Sequence, residues 1–211
     1  MFRKRRHKYY GSGAEHLEAA VEQLCARLRF SDPEGLPRSI VVTSSVPGEG
    51  KSTVSALIAR QLSRSGTRVL AMDCDLRRPA LGRRLGAGSH QGIGAVLLGE
   101  LTLSQAVKPV DNNLWLLDAE LKPYYPSDLF ATKRFGDLLD KATEMFDCLV
   151  VDTPPLGAVI DAAVIASRAD GALLVMREGI TKRKDLLSSK TQLVRSGSRI
   201  LGCVVNGYKD E

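Results

Sequence analysis

No stretch of this chain is apolar for long enough to cross a bilayer. The longest runs, Cys148 to Val151 and Gly171 to Met176, fall far short of the about 20 residues that a spanning helix needs. No signal-peptide pattern opens the sequence, so a protein made and kept in the cytoplasm is expected. Cysteine is sparse: Cys25, Cys74, Cys148 and Cys203 are scattered, with no C-x-x-C spacing. That disfavours an iron–sulfur or zinc site and predicts four reduced thiols in or near the core. Internal repeats and low-complexity segments are missing as well. So are nucleic-acid recognition motifs and basic stretches interleaved with aromatics, and no nucleic acid is expected as a partner.

The chain has 211 residues, room for one ordinary domain with short tails. Its formal net charge of +6 is unevenly placed, because Arg3, Lys4, Arg5, Arg6 and Lys8 supply five of the six with no acid among residues 1–13. A basic flexible tail over residues 1–13 and a single domain over 14–211 is the expected organisation. Such a block is either simply solvated or drawn to anionic lipid at the inner membrane face, at about 1 kcal/mol per basic residue near the surface.

What the sequence does have is Val41 to Thr53, which reads Val-Val-Thr-Ser-Ser-Val-Pro-Gly-Glu-Gly-Lys-Ser-Thr. A β-branched run (Ile40, Val41, Val42) stops at small residues, Pro and Gly, and a helical pattern follows from Val54. Against G-x-x-x-x-G-K-[ST], Gly50, Lys51 and Ser52 match, and Ser45 stands at the first glycine. Such a loop turns backbone N–H groups around a polyphosphate at the positive end of a helix, with Lys51 on the outer phosphates and the Ser52 hydroxyl on Mg²⁺. Two more strand ends carry acids: Val69–Met72 leads into Asp73-Cys74-Asp75-Leu76-Arg77-Arg78-Pro79, and Cys148–Val151 into Asp152-Thr153-Pro154-Pro155. An Asp at the tip of a buried strand beside a phosphate loop is suited to hold Mg²⁺, directly or through water, and Asp152 is the candidate.

The rest of the chain alternates. Helices are predicted over Ala14–Leu28, Lys51–Arg64, Gly92–Leu98, Leu103–Val107, Ile160–Ser167 and Lys182–Arg195, and one more from the Pro-rich Lys122–Ser127 connection to Met145. Strands are predicted at Arg68–Asp73, Leu114–Leu117, Cys148–Asp152, Gly171–Met176 and Ile200–Asn206. The fold class expected is α/β, P-loop NTPase-like, with a mainly parallel central sheet and helices on both faces. Ligands of such sheets bind at the carboxyl ends of the strands.

Together the three motif segments resemble those of the bacterial tyrosine kinases (BY-kinases) that accompany capsule and exopolysaccharide synthesis. The resemblance runs from Ile40 to Asn206 and includes Tyr125-Pro126-Ser127-Asp128-Leu129 and the closing Leu201-Gly202-Cys203-Val204-Val205-Asn206. Its most specific piece is Asp73-x-Asp75-x-Arg77-x-Pro79. Related partition and septum-positioning ATPases carry a second Lys early in the loop, where this chain has Val46.

The resemblance implies an ATP-dependent protein-tyrosine kinase or autokinase, with Mg²⁺ as cofactor. Lys51, Asp73, Asp75 and Asp152 would be catalytic, with Asp73 accepting the hydroxyl proton. Ser52, Asp75 and Asp152 would serve the metal. Pro47, Gly48, Glu49, Gly50, Lys51, Ser52, Thr53 and Asn206 would bind the nucleotide, Thr53 at the α-phosphate and Asn206 at adenine. Arg77 and Arg78 either meet phosphate or acceptor, or pair with surface acids.

The family's partners are a membrane protein of the chain-length-regulator type, here expected in trans, and tyrosine-bearing protein substrates. Where the family has a C-terminal tyrosine cluster this chain has Tyr208 alone, and Tyr9 and Tyr10 are the other candidate acceptors. The family's Glu-x-x-Arg-x-x-Arg assembly motif falls, in a register set by Phe30-Ser31, on Ala19, Glu22 and Cys25. A homo-oligomer would therefore need other contacts, such as Arg27 and Arg29. A second reading is a nucleotide switch that binds ATP and a polysaccharide-export partner without phosphorylating protein.

Overall fold

In a computed structural model the description covers residues 13–31, 33, 35–88, 92–119 and 126–208, the side chains of 13, 14 and 126–128 excepted. The basic run Arg3–Lys8, Tyr9 and Tyr10, Asp32, Glu34, and the 122–125 part of the Pro-rich connection lie outside the described residues.

The strands are β1 (Ser39–Ser44), β2 (Val69–Asp73), β3 (Lys108–Asp111), β4 (Leu114–Leu117), β5 (Cys148–Asp152), β6 (Gly171–Arg177) and β7 (Ile200–Asn206). Among the described residues they form one sheet in the order β3-β4-β2-β5-β1-β6-β7. Each pairing is parallel except β3 with β4. Helices α1 (Gly13–Arg29), α2 (Lys51–Arg64), α3 (Leu81–Arg84), α4 (Ile93–Leu98), α5 (Leu103–Ala106), α6 (Pro126–Ala131), α7 (Lys133–Met145), α8 (Asp161–Ala166) and α9 (Arg183–Arg195) fill the connections.

Alternate strand residues point to opposite sides of a sheet, and both sides here are covered. Ile40, Val42, Val69, Ala71 and Val150 pack with Ile58 and Leu62 of α2 and with Cys25 and Leu28 of α1. Val41, Leu70, Met72, Leu149 and Val151 pack with Phe135 and Leu139 of α7 and Ile165 of α8. Fully buried strands are why the sequence shows continuous apolar runs rather than alternation.

Four expectations need correction. The helix predicted to reach Met145 is two, α6 and α7, because Thr132 between them is extended and its hydroxyl donates to Leu129 O at 2.7 Å. The Arg168 guanidinium takes the Ala131 and Thr132 carbonyls at 2.9 Å each, which stabilises the break. Strand β3 was not predicted: it is an exposed edge containing Pro109, and it carries no apolar signal. It turns back onto β4 through Asn113, whose φ is +57°. Helix α3 was not predicted either, since its first turn is capped by a distant carboxylate described below. Of the four thiols, Cys25, Cys74 and Cys148 are buried as expected, but Cys203 is exposed on the edge strand β7.

Candidate active site

Between β1 and α2 the chain makes a tight loop that two glycines permit, Gly48 at φ +87° and Gly50 at φ +94°. Helix α2 has no side-chain cap at its start, so its first N–H groups are left for a ligand. Gly50 is required twice over, because a Cβ there would lie 2.2 Å from Asn206 Nδ2. That amide donates to Glu49 O at 2.9 Å and ties the tip of β7 to the loop.

Glu49 was expected among the nucleotide contacts, but its side chain turns into the protein and is wholly buried. Its Oε2 accepts the Val46 N–H at 2.8 Å, and its Oε1 accepts the Thr181 hydroxyl. The Thr181 oxygen in turn accepts the Arg177 N–H at 2.7 Å, while the Arg177 guanidinium donates to Gly48 O at 3.3 Å. Glu49 thus braces the loop, and any phosphate contact falls to its main chain. Nothing in the sequence marks Thr181 as its partner.

The carboxylates meet because β2 and β5 are adjacent and Asp73 stands opposite Asp152 in the ladder. From the start of α2, Lys51 Nζ reaches Asp75 Oδ2 at 2.9 Å, Asp152 Oδ2 at 3.6 Å and Ser52 Oγ at 3.3 Å. Burial works against the Lys51 charge, but Asp152 and Asp75 outweigh it and hold the ammonium above its ordinary pKa. Burial raises Asp152, with Lys51 and the Ser52 and Ser55 hydroxyls pulling the other way. The Ser55 hydroxyl lies 3.1 Å from Asp152 Oδ1, which orients that carboxylate. Ser55 was missed in the sequence, although it lies four positions after Lys51 and so on the same helix face.

Asp73 is fully buried, and three backbone N–H groups bind its carboxylate: Asp75 at 3.0 Å, Ala80 at 2.9 Å and Leu81 at 2.9 Å. The last two begin α3, which explains a helix without a local cap. Burial, with Asp152 alongside, pushes the Asp73 carboxyl up to about 7 against the pull of those N–H donors. Beyond Asp75, whose Oδ1 accepts the Arg78 N–H at 3.0 Å, the Arg77 Nε lies 3.6 Å from Asp161 Oδ2 at the start of α8.

The residues suit a divalent cation held partly by a ligand. Asp152 Oδ2 is buried without a hydrogen bond and faces a cationic group, Lys51. Among the described residues no three His, Cys, Asp or Glu side chains converge on one point. That set matches Mg²⁺, which typically takes one or two carboxylates and completes its shell with phosphate and water.

Beside the loop runs a groove of about 400 Å³, lined by Thr53 and Leu57 of α2, Leu17 and Leu24 of α1, and Cys203 and Asn206 of β7. Tyr208 follows β7 and is exposed. The three assembly-motif positions do not share an outer face: Ala19 is half-buried, Glu22 exposed and Cys25 buried.

The CbiA family, described as the CobQ/CobB/MinD/ParA nucleotide binding domain, matches residues 40–211. Tyrosine-protein kinase YwqD of Bacillus subtilis is 33% identical over 183 residues, which are 86% of this chain and 77% of that protein. The chain belongs to the bacterial tyrosine kinase family. The kinase domain of the Escherichia coli tyrosine kinase ETK is similar with a TM-score of 0.88 at 28% identity, covering 98% of this chain and 84% of that one. The septum site-determining protein MinD of Pyrococcus horikoshii, solved with Mg-ADP, has a TM-score of 0.71 at 26% identity over 81% of this chain and 70% of that one. Nucleotide and magnesium binding thus occurs in the wider fold group to which these kinases belong.

Proposed function

We propose that the protein is an ATP-dependent protein-tyrosine kinase acting in the regulation of capsular or exopolysaccharide synthesis. One observation carries the reading above the others: in a member of the tyrosine kinase family, Lys51 is drawn between Asp75 and Asp152 directly beside the phosphate loop.

In the reaction the acceptor tyrosine oxygen bonds to the γ-phosphorus as the bond to the β–γ bridging oxygen breaks, and ADP leaves. The N–H groups of residues 48–53 cradle the phosphates, with Thr53 at the α-phosphate. Lys51 neutralises charge on the transferring group. Mg²⁺, when bound, supplies further neutralisation of the β- and γ-phosphate oxygens, and Ser52, Asp152 and, through water, Asp75 would hold it. Asn206 and the adjoining groove receive the adenine. Asp73 takes the tyrosine proton, for which a carboxyl near 7 is well matched. Its complete burial requires the turn at 74–81 to shift when the acceptor enters. Since phosphoryl transfer is mostly positioning and charge stabilisation, Lys51 and the metal-holding residues matter more than the base.

The activator is read as a membrane protein of the chain-length-regulator type met in trans, and the basic tail as a tether to the inner membrane face. Removing residues 1–13 should then release the protein from anionic vesicles, and unchanged binding would dismiss the tether. The test of the kinase itself is incubation with Mg-ATP, with and without a fused activator segment, followed by phosphosite mapping with Lys51→Met as control. Lys51-dependent phosphotyrosine is expected. ATP binding with no phosphotyrosine, even on an offered substrate, would overturn the reading in favour of a nucleotide switch.

A further inference from the structure

We infer that the turn between β2 and α3, together with α3, is the acceptor-binding face, and that it selects tyrosines flanked by acidic residues. The inference rests on the kinase reading and adds the substrate class.

The turn is built around Asp73. That carboxylate accepts the N–H of Asp75 on one side and of Ala80 and Leu81 on the other, so the chain between them loops directly over the group that would receive the tyrosine proton. From Leu76 to Gly88 the sequence carries Arg77, Arg78, Arg83 and Arg84 and no acidic residue. All four arginines are exposed. Two contacts fix the shape of this rim: Arg83 Nη2 donates to Pro79 O at 3.3 Å, and Arg77 is held by Asp161 at 3.6 Å. Asp161 is almost fully buried while the Arg77 side chain is 48% exposed, so the acid orients the guanidinium and leaves its outer part to solvent. Arg78, Arg83 and Arg84 add three exposed positive charges to the segment whose Ala80 and Leu81 N–H groups bind Asp73.

A segment that brings its tyrosine to Asp73 must cross this rim. Carboxylates on either side of the tyrosine would pair with the guanidiniums, whereas flanking lysines would be repelled. Anionic lipid has the same sign of charge, but a flat membrane does not present a tyrosine at the end of β2. The rule also ranks the chain's own tyrosines: Tyr208 is followed by Lys209, Asp210 and Glu211, whereas Tyr9 and Tyr10 follow a run of five basic residues.

The test uses the full chain and three synthetic peptides that share one tyrosine, flanked by Glu, by Gln or by Lys. With Mg-ATP, kcat/KM for the Glu peptide should exceed that for the Gln peptide by about tenfold at low salt, and the gap should shrink as salt rises. Arg83→Glu/Arg84→Glu should abolish this preference and improve the Lys peptide, a charge reversal that a merely destabilised rim would not produce. Equal use of the Glu and Gln peptides, or a preference that survives in the double variant, would overturn the inference. A double variant that loses phosphatidylserine vesicle binding but keeps its peptide preference would assign the rim to the membrane instead. Fluorescence anisotropy of the labelled peptides separates the two levels. Selective, salt-sensitive binding of the Glu peptide supports the acceptor face even if no phosphate is transferred, in which case the kinase reading alone fails. No selective binding removes the acceptor face while Lys51-dependent autophosphorylation leaves the kinase standing.

Discussion

Lys51 Nζ stands 2.9 Å from Asp75 Oδ2, and the two side chains are only 12% and 4% exposed. The ammonium is thus bound by carboxylates at the place where it is expected to serve phosphate. On the proposed reading, loading of nucleotide makes it exchange partners and frees the carboxylates for a divalent cation.

Lys51→Met leaves Asp75 and Asp152 without their counter-charge. Phosphotransfer should fall by about two orders of magnitude or more. The fold should also lose on the order of 3 kcal/mol at neutral pH, as expected when one partner of a buried pair is removed. The loss should shrink as pH falls, because the Asp152 carboxyl, raised by burial, takes up a proton and then needs no partner. Thermal melts at pH 5 and pH 8 check this, and an equal loss at both would contradict it.

Asp73 gives a second pH signature. A carboxyl raised by burial to about 7 binds its proton more tightly folded than unfolded, so ∂ΔG/∂pH is negative across the interval. Its contribution to stability is complete below the ordinary carboxylate range and fades as pH rises to about 7. Asp73→Asn stays neutral, and its melting temperature should decline less than that of the wild type over this interval. Parallel profiles would show that Asp73 does not titrate there.

The Glu49 brace predicts a coupling across the sheet. Glu49→Ala strands the Val46 N–H and the Thr181 hydroxyl and should weaken nucleotide binding about tenfold, on the scale expected for unpaired buried polar groups. Thr181→Val should weaken it less, and the double variant should be less than additive by at least about 0.5 kcal/mol. Titration of a fluorescent nucleotide measures all three, and additivity would mean that the two side chains act separately.

At Gly50, Ala meets two separate obstacles: a φ of +94°, and Asn206 Nδ2 at 2.2 Å from the new Cβ. Gly50→Ala should abolish nucleotide binding and lower the melting temperature. Adding Asn206→Ala removes the clash but not the backbone strain, so part of the stability should return while binding does not. Full recovery of binding would mean that the backbone angle is not needed.

Much of the fold was readable because fully buried strands and punctuating loops leave strong local patterns. The predicted helix Lys51–Arg64 and strands Leu114–Leu117 and Cys148–Asp152 coincide with α2, β4 and β5. What escaped has its cause elsewhere in the chain. Helix α3 depends on Asp73, seven and eight residues away from the N–H groups it caps. The α6–α7 break depends on Arg168, and β3 depends on pairing with β4 rather than on its own side chains. At the site, the loop motif pointed to Lys51, the strand end to Asp152 and the family resemblance to Asp75, and the fold brings the three together. The motif placed Glu49 with the ligand contacts because it gives a position but not the direction in which a side chain turns. Ser55 and Thr181 are ordinary residues that become notable only through the atoms they touch.

The amide of Asn206 holds the carbonyl of Glu49 across 157 positions of sequence, joining the last strand to the loop that follows the first. During synthesis the phosphate loop leaves the ribosome well before the strand that holds it. A nascent chain stalled before residue 206 would therefore carry the whole loop motif yet lack the contact that shapes it. Such a long-range closure forms late in folding. Competence to take up nucleotide should then report that β7 is in place, and arrested chains of increasing length should acquire it abruptly rather than by degrees.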